Sequence, residues 1–140
     1  MHRDPTAVVR AVYEAFDRSD LETVMALFDP DATVYQSPAL PWGGDHRGHA
    51  GLERFLTVLV THLDSHPETQ SLLDDGDGHV VQHGRTRGTV RSNGAPFDVA
   101  ETHVWTVRDG RVHRFESYID TAAMRQALDA APAGAEPARV

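Results

Sequence analysis

The stretch Leu21-Glu22-Thr23-Val24-Met25-Ala26-Leu27-Phe28-Asp29-Pro30-Asp31-Ala32-Thr33-Val34-Tyr35 decides the fold. Leu21, Val24, Met25, Leu27 and Phe28 recur at helical spacing, and Pro30 forbids extension of that helix. Ala32 to Gln36 then reads as a short strand. A loop over residues 37–48 carries Trp42-Gly43-Gly44-Asp45-His46-Arg47-Gly48, and another apolar helix starts near His49. A strand that feeds a glycine corner between two helices builds the mouth of a cone-shaped pocket.

Working outward, Pro5 suits a first helical turn with Asp4 as its N-cap. Val8, Val9, Val12, Tyr13 and Phe16 continue that helix to about Arg18. Ser19 or Asp20 caps the second helix. The third runs from His49 to Leu63, with Leu52, Phe55, Leu56, Leu59 and Val60 on its apolar face, and stops near Pro67. The period then changes. Glu68 to Asp74, His79 to Ser92, Phe97 to Val107 and Arg111 to Ile119 read as strands. Asp75-Gly76-Asp77-Gly78, Ser92-Asn93-Gly94 and Arg108-Asp109-Gly110 are tight turns between antiparallel neighbours. Ala122 to Leu128 is a last helical turn or two. Helices first and strands afterwards predict an α+β fold. Three N-terminal helices would pack on a curved antiparallel sheet, forming a cone-shaped barrel. One domain over residues 1–128 and a flexible tail over 129–140 are expected.

The chain has 140 residues and no cysteine, which excludes disulfides and thiolate chemistry. No run of apolar residues is long enough to span a membrane, and Met1-His2-Arg3-Asp4-Pro5 lacks an apolar signal segment. A cytoplasmic location is expected. Thirteen cations against 21 anions give a net charge of −8, which repels phosphate backbones. Every cation is arginine, so no lysine Schiff base or lysine general base is available. The scarcity of lysine, isoleucine and asparagine suits a GC-rich bacterial genome.

Strand alternation assigns the faces. Trp105 and Val107 belong under the helices, so Glu101 and His103 go with them. On the preceding strand Val80, Gln82, Gly84, Thr86 and Gly88 face inward, while His83, Arg85 and Arg87 face out. Gly84 and Gly88 are expected to thin the wall and make room. Phe115 and Ser117 are the inner residues of the last strand. The cavity walls are then Val12, Tyr13, Phe16, Tyr35, Trp42, Phe55, Trp105 and Phe115. Gln36, His46, Gln82, Thr86, His103 and Ser117 are the polar fixtures. An apolar, aromatic cavity with few polar groups is what a small-molecule site looks like.

These residues resemble the SnoaL-like polyketide cyclases and ketosteroid-isomerase-like proteins, which share the nuclear transport factor 2-like (cystatin-like) cone. The resemblance covers about residues 5 to 128. It rests on Ser19-Asp20-Leu21, Phe28-Asp29-Pro30-Asp31-Ala32-Thr33-Val34, Trp42-Gly43-Gly44 with Gly48, His103-Val104-Trp105-Thr106-Val107-Arg108-Asp109-Gly110, and Tyr118-Ile119-Asp120. It implies an Asp base where Gln36 stands, a tyrosine donor at about Val12 (next to Tyr13), and a second, protonated Asp at or beside His103. The cyclase pattern implies a His at His103 and an Asp at about Ser117 or Asp120. Gln36 cannot take a carbon-bound proton.

His103 is therefore the leading catalytic candidate, as a proton shuttle beside a carboxylate such as Glu101; the competing reading is a satisfied core histidine. Gln36 and Gln82 hydrogen-bond a ligand carbonyl or satisfy each other. Tyr35 is a donor into the cavity or a packing residue. Trp42 and His46 gate the mouth or cap the barrel. His62 and His66 have a spacing that can share a metal, but the helix frays before Pro67, and no metal is expected. His79 and His83, roughly 13 Å apart on a strand, are too far apart to share one. Arg85, Arg87 and Arg91 form an outer stripe that fits ion pairs with Asp98 and Glu116 or a dimer face better than nucleic acid.

The expected function is a cofactor-independent cyclase or isomerase of a hydrophobic, oxygenated, polyketide-like metabolite in bacterial secondary metabolism. An epoxide-opening hydrolase ranks below it, because no inner Asp is available. A non-catalytic binding protein of the same fold is the alternative, and an interaction module using the outer sheet is the third. Partners are a small hydrophobic molecule and a second copy of the chain.

Overall fold

The computed structural model describes residues 4 to 132. Asp4 accepts the Thr6 amide and opens α1, Pro5–Asp17. Asp20, not Ser19, caps α2, Leu21–Leu27, through the Thr23 amide. Strand β1, Phe28–Gln36, follows directly. It starts earlier than the sequence suggests and contains Pro30. Its register against β6 shifts between Phe28 and Thr33, and proline is tolerated at such a bulge.

Residues 37–48 are not all loop. Gly44–Arg47 form β2, which pairs antiparallel with β1. Helix α3, Gly48–His62, then packs over β1. It does not reach Pro67. Leu63 has an extended backbone, and β3 runs over Leu63–Asp74. The signal for this lay in the chain: Leu63, Ser65 and Pro67 alternate in burial with exposed Asp64, His66 and Glu68. Pro67 is accommodated because β3 is an edge strand, whose free side needs no amide donor.

Strands β4, His79–Val90, β5, Pro96–Arg108, and β6, Arg111–Ile119, complete the sheet. Helix α4, Thr121–Leu128, is capped by Asp120. The strand order is β2-β1-β6-β5-β4-β3. All neighbours are antiparallel except β1 and β6, which are parallel. The sheet is thus mixed rather than purely antiparallel. Helix α3 carries the chain from the β2 edge to the β3 edge. The meander then returns to meet β1. The expected α+β cone stands, as a curved sheet that does not close. From residue 133 onward the expected tail lies outside the described residues.

Val8, Val9, Val24, Val34, Leu52, Val80, Trp105 and Val112 are buried between helices and sheet. Gly84 and Gly88 do not widen the cavity. A Cβ at Gly84 would collide with the Glu68 carbonyl oxygen, and one at Gly88 with the Asp64 carbonyl oxygen. Both glycines let the backbone of β3 fold closely over β4. Outside, Arg85 and Arg87 pair with Asp98, and Arg87 also with Glu68. Glu116 pairs with Arg114 instead of the stripe, and Arg91 bonds the Val60 carbonyl.

Gly88→Ala is expected to lower stability by about 1–3 kcal/mol through overpacking, since its obstacle is backbone. Thermal unfolding of the variant measures this, and an unchanged Tm would contradict the close approach of β3.

Candidate functional site

The inner row of β5 carries Glu101, His103, Trp105 and Val107, all buried, as alternation predicts. Strand pairing places Ser117 opposite His103 on one side and Gln82 opposite it on the other. Gln36 lies opposite Ser117. The four residues Gln36, Ser117, His103 and Gln82 thus stand in one line across the concave face.

A cavity of about 100 Å3 lies over this line. Tyr13, Phe16, Trp42, Phe55, Trp105 and Phe115 supply aromatic walls, and Gln36, Thr86, Glu101, His103 and Ser117 supply the polar groups. Three residues expected on the wall are elsewhere. Tyr35 lies on the outer face, its ring 5.9 Å from that of half-exposed Tyr118. Gln36 points inward, and adjacent strand residues cannot share a face. Gln82 is fully buried behind Glu101, which its Nε2 holds. His46 packs behind Phe55 at 5.6 Å and bonds the Trp42 carbonyl through Nε2 at 3.0 Å.

Three contributors were missed or left open by the sequence. Glu101 does reach the cavity, and its position two residues before His103 was the available signal. Ser65 and Pro67 also line it; they were hidden by the expectation that α3 ran on towards them.

The polar groups form a directed chain. The Trp105 indole donates to the Tyr13 oxygen at 3.0 Å. An indole nitrogen can only donate, so Tyr13 keeps its own proton for His103 Nδ1, 2.6 Å away. Burial pushes the Tyr13 hydroxyl well above its ordinary range, which keeps it a donor. Nδ1 is then the acceptor, and the imidazole proton sits on Nε2. That nitrogen faces Glu101 Oε1 at 3.4 Å. Gln82 Nε2 donates to Glu101 Oε2 at 2.7 Å. Phe115 closes over His103, with ring centres 4.9 Å apart.

Burial sets the charges. It lowers the His103 pKa to about 3 and raises that of Glu101 to about 7, against the opposing hydrogen bond from Gln82. The contact between them is therefore a neutral imidazole against a carboxyl poised near neutrality, not an ion pair. Glu101, rather than His103, has the proton affinity that acid–base work near pH 7 needs.

His66 lies between Asp64 at 3.1 Å and Asp17 at 3.9 Å, and His79 contacts Asp75 at 2.7 Å. Among the described residues no group of three or more His, Cys, Asp or Glu side chains is placed to hold a metal ion. No helix among them is long and apolar enough to cross a membrane.

A family model described as the SnoaL-like domain matches residues 9–115. An NTF2-like protein from Burkholderia thailandensis superposes with a TM-score of 0.84 and 31% identity, over 91% of this chain and 99% of that one. An NTF2-like protein of unknown function from Burkholderia pseudomallei gives 0.83 and 30%, over 90% and 98%. TerC, co-crystallised with polyporic acid, gives 0.82 and 27%, over 90% and 98%. No curated protein matches the chain.

The two shifted groups make stability depend on pH in opposite senses. Folded Glu101 keeps its proton up to about pH 7, whereas an ordinary carboxyl releases it near 4.5, so its contribution falls as pH rises across that window. Folded His103 refuses a proton down to about 3, whereas an ordinary imidazole takes one near 6.5, so its contribution falls as pH drops across that window. Glu101→Gln keeps the shape and removes the ionisation, while its single oxygen can accept from only one of His103 and Gln82, a loss that does not vary with pH. Its Tm relative to the natural protein is therefore expected to rise from about pH 4.5 to about pH 8. A pH-independent difference would overturn the burial of an ionising Glu101.

Proposed function

The chain belongs to the SnoaL-like domain family, and on that premise we propose that it is a cofactor-independent enzyme that moves a proton on an apolar, oxygenated small molecule. A cyclase or isomerase of a polyketide-like metabolite in bacterial secondary metabolism fits best. The observation that carries this reading is Glu101: a carboxyl raised to about 7, on the wall of an aromatic cavity, beside a neutral histidine. The co-crystallisation of the related TerC with polyporic acid supports a small-molecule ligand.

In this reading the Glu101 carboxylate takes a proton from a carbon next to a carbonyl. The C–H electron pair becomes the enolate double bond, and the carbonyl oxygen takes the negative charge. Glu101 later returns the proton to another atom of the same molecule, or the enolate carbon attacks a second carbonyl to close a ring, the electron pair of that C=O moving to its oxygen, which takes the proton back from Glu101. His103 Nε2–H steadies the carboxylate while it is charged. Tyr13 and Trp105 hold that imidazole in the required tautomer. Phe115 and Trp105 exclude water, which strengthens every electrostatic contact inside. A homodimer through the outer sheet face, where Tyr118 is 47% exposed, belongs to the same reading.

One observation favours the second reading, a binding protein without turnover. Gln36, at the position where the resemblance places an Asp base, is an amide tied to Trp42.

A thermal-shift screen against polyketide aromatics, steroid enones and terpene epoxides comes first. A ligand at a hundred times its Kd adds about 2.7 kcal/mol. With a turned-over hit, Glu101→Gln is expected to lower kcat by roughly a hundredfold to ten-thousandfold while binding is retained. The limb of the kcat/KM profile near pH 7 is expected to disappear with it. A hit that binds tightly and is never converted by the natural protein would establish the second reading.

A further inference from the structure

On the cavity wall Trp105, Tyr13, His103 and Glu101 are spent on one another, and Gln82 holds Glu101 from behind. Gln36 is different. Its Oε1 accepts the Trp42 indole N–H at 2.9 Å. Because an indole can only donate, this bond decides which end of the amide is which. Nε2 is left over. Gln36 is 4% exposed and lines the cavity, and its Nε2 makes no hydrogen bond among the described residues. Ser117 is also 4% exposed and lines the cavity, and its Oγ makes none either.

The two are neighbours by register. Gln36 pairs with Ser117 across β1 and β6, and Ser117 pairs with His103 across β6 and β5. Two unspent donors therefore stand side by side, next to the histidine. Buried polar groups are nearly always hydrogen-bonded, so a pair without protein partners is set for a ligand.

Charge narrows what that ligand is. The ionisable groups on the wall are Tyr13, Glu101 and His103, and no arginine lines the cavity among the described residues. A carboxylate ligand would meet Glu101 at low dielectric with no cation to offset it. An ammonium at the Gln36 end would bring a donor against the Gln36 donor, and at the other end the Glu101 oxygens are already engaged by His103 and Gln82.

We infer that the cavity recognises an uncharged carbonyl compound whose oxygen sits between Gln36 Nε2 and Ser117 Oγ and whose flat apolar body lies against Trp105 and Phe115. Trp42 is the positioning residue that keeps the amide turned the right way. The inference rests on the small-molecule reading above and adds the ligand class and the residues that select it.

Calorimetric titration of the full chain with four molecules on one ring system tests it: fluorenone, fluorene, fluorene carboxylate and the alkylammonium 9-fluorenylmethylammonium. Fluorenone is expected to bind about three- to tenfold more tightly than fluorene, as one or two neutral hydrogen bonds supply. The charged pair is expected to bind more weakly than fluorenone. Gln36→Glu, assayed at alkaline pH so that its buried carboxyl is ionised and not itself a donor, keeps the acceptor for Trp42 and replaces the free donor with an oxygen. It is expected to erase the fluorenone preference and leave fluorene binding in place, which also reports that the variant is folded. Ser117→Ala gives an independent partial loss. Equal affinity for fluorenone and fluorene would overturn the donor pair and leave the cavity reading standing. Tightest binding of the carboxylate would overturn the charge argument. No binding by any of the four would overturn the inference together with the small-molecule site. Turnover is not involved, so failure of the Glu101 mechanism is scored separately.

Discussion

Strand β5 pairs with β4 over Pro96–Thr106 and with β6 over Glu101–Arg108, so the side chains of residues 101–106 cannot change face without breaking two ladders. The site depends on this constraint. Trp105 must be inward because the core needs its area, and parity carries His103 and Glu101 inward with it. Those two would not be buried for their own sake, since each loses hydration. Their compensation is local: Tyr13 from α1 and Gln82 from β4 supply the bonds that water would otherwise supply.

That enforced burial is also the source of the chemistry. In water a glutamate and a histidine would both be charged near pH 6 and would screen each other. Inside the cone desolvation works against both charges. It pushes the carboxyl up and the imidazole down until the carboxyl is the group poised near neutrality. The Trp105 indole then breaks the symmetry of the histidine, since a donor that cannot accept sets the direction of the whole chain. Trp42 does the same for Gln36 on the far side of the row. In both cases an indole N–H, buried for packing, determines which polar atoms remain for a ligand.

The sheet's outline follows from how the chain crosses it. β1 and β2 are laid down first, α3 carries the chain to the opposite edge, and β3 to β6 return until β6 lies parallel to β1. The crossing leaves β3 as an edge strand, where Pro67 is tolerated. The bare backbone of Gly84 and Gly88 lets β3 fold over β4, which brings Ser65 and Pro67 onto the cavity wall.

Much of this was legible in the chain. Helical spacing in residues 8–16 and 52–60, turn glycines after residue 75 and alternation in residues 101–107 are local signals, and local physics determines them: a period of 3.6 or of 2, a cap, a positive φ. They led to the cone, to the inward face of His103 and to most of the aromatic wall. The parity of adjacent residues should also have placed Tyr35 outside once Gln36 was inside. What the tertiary structure alone decided is which polar atoms meet. Whether Gln82 holds Glu101, whether Tyr13 rather than a carboxylate holds Nδ1, and which end of Gln36 is free depend on α1, β1, β4, β5 and the Trp42 loop arriving within a few ångströms of one another. Those contacts join residues as much as 90 positions apart. No sequence period encodes them, because they arise from the curvature of the sheet and the close packing of the helices against it.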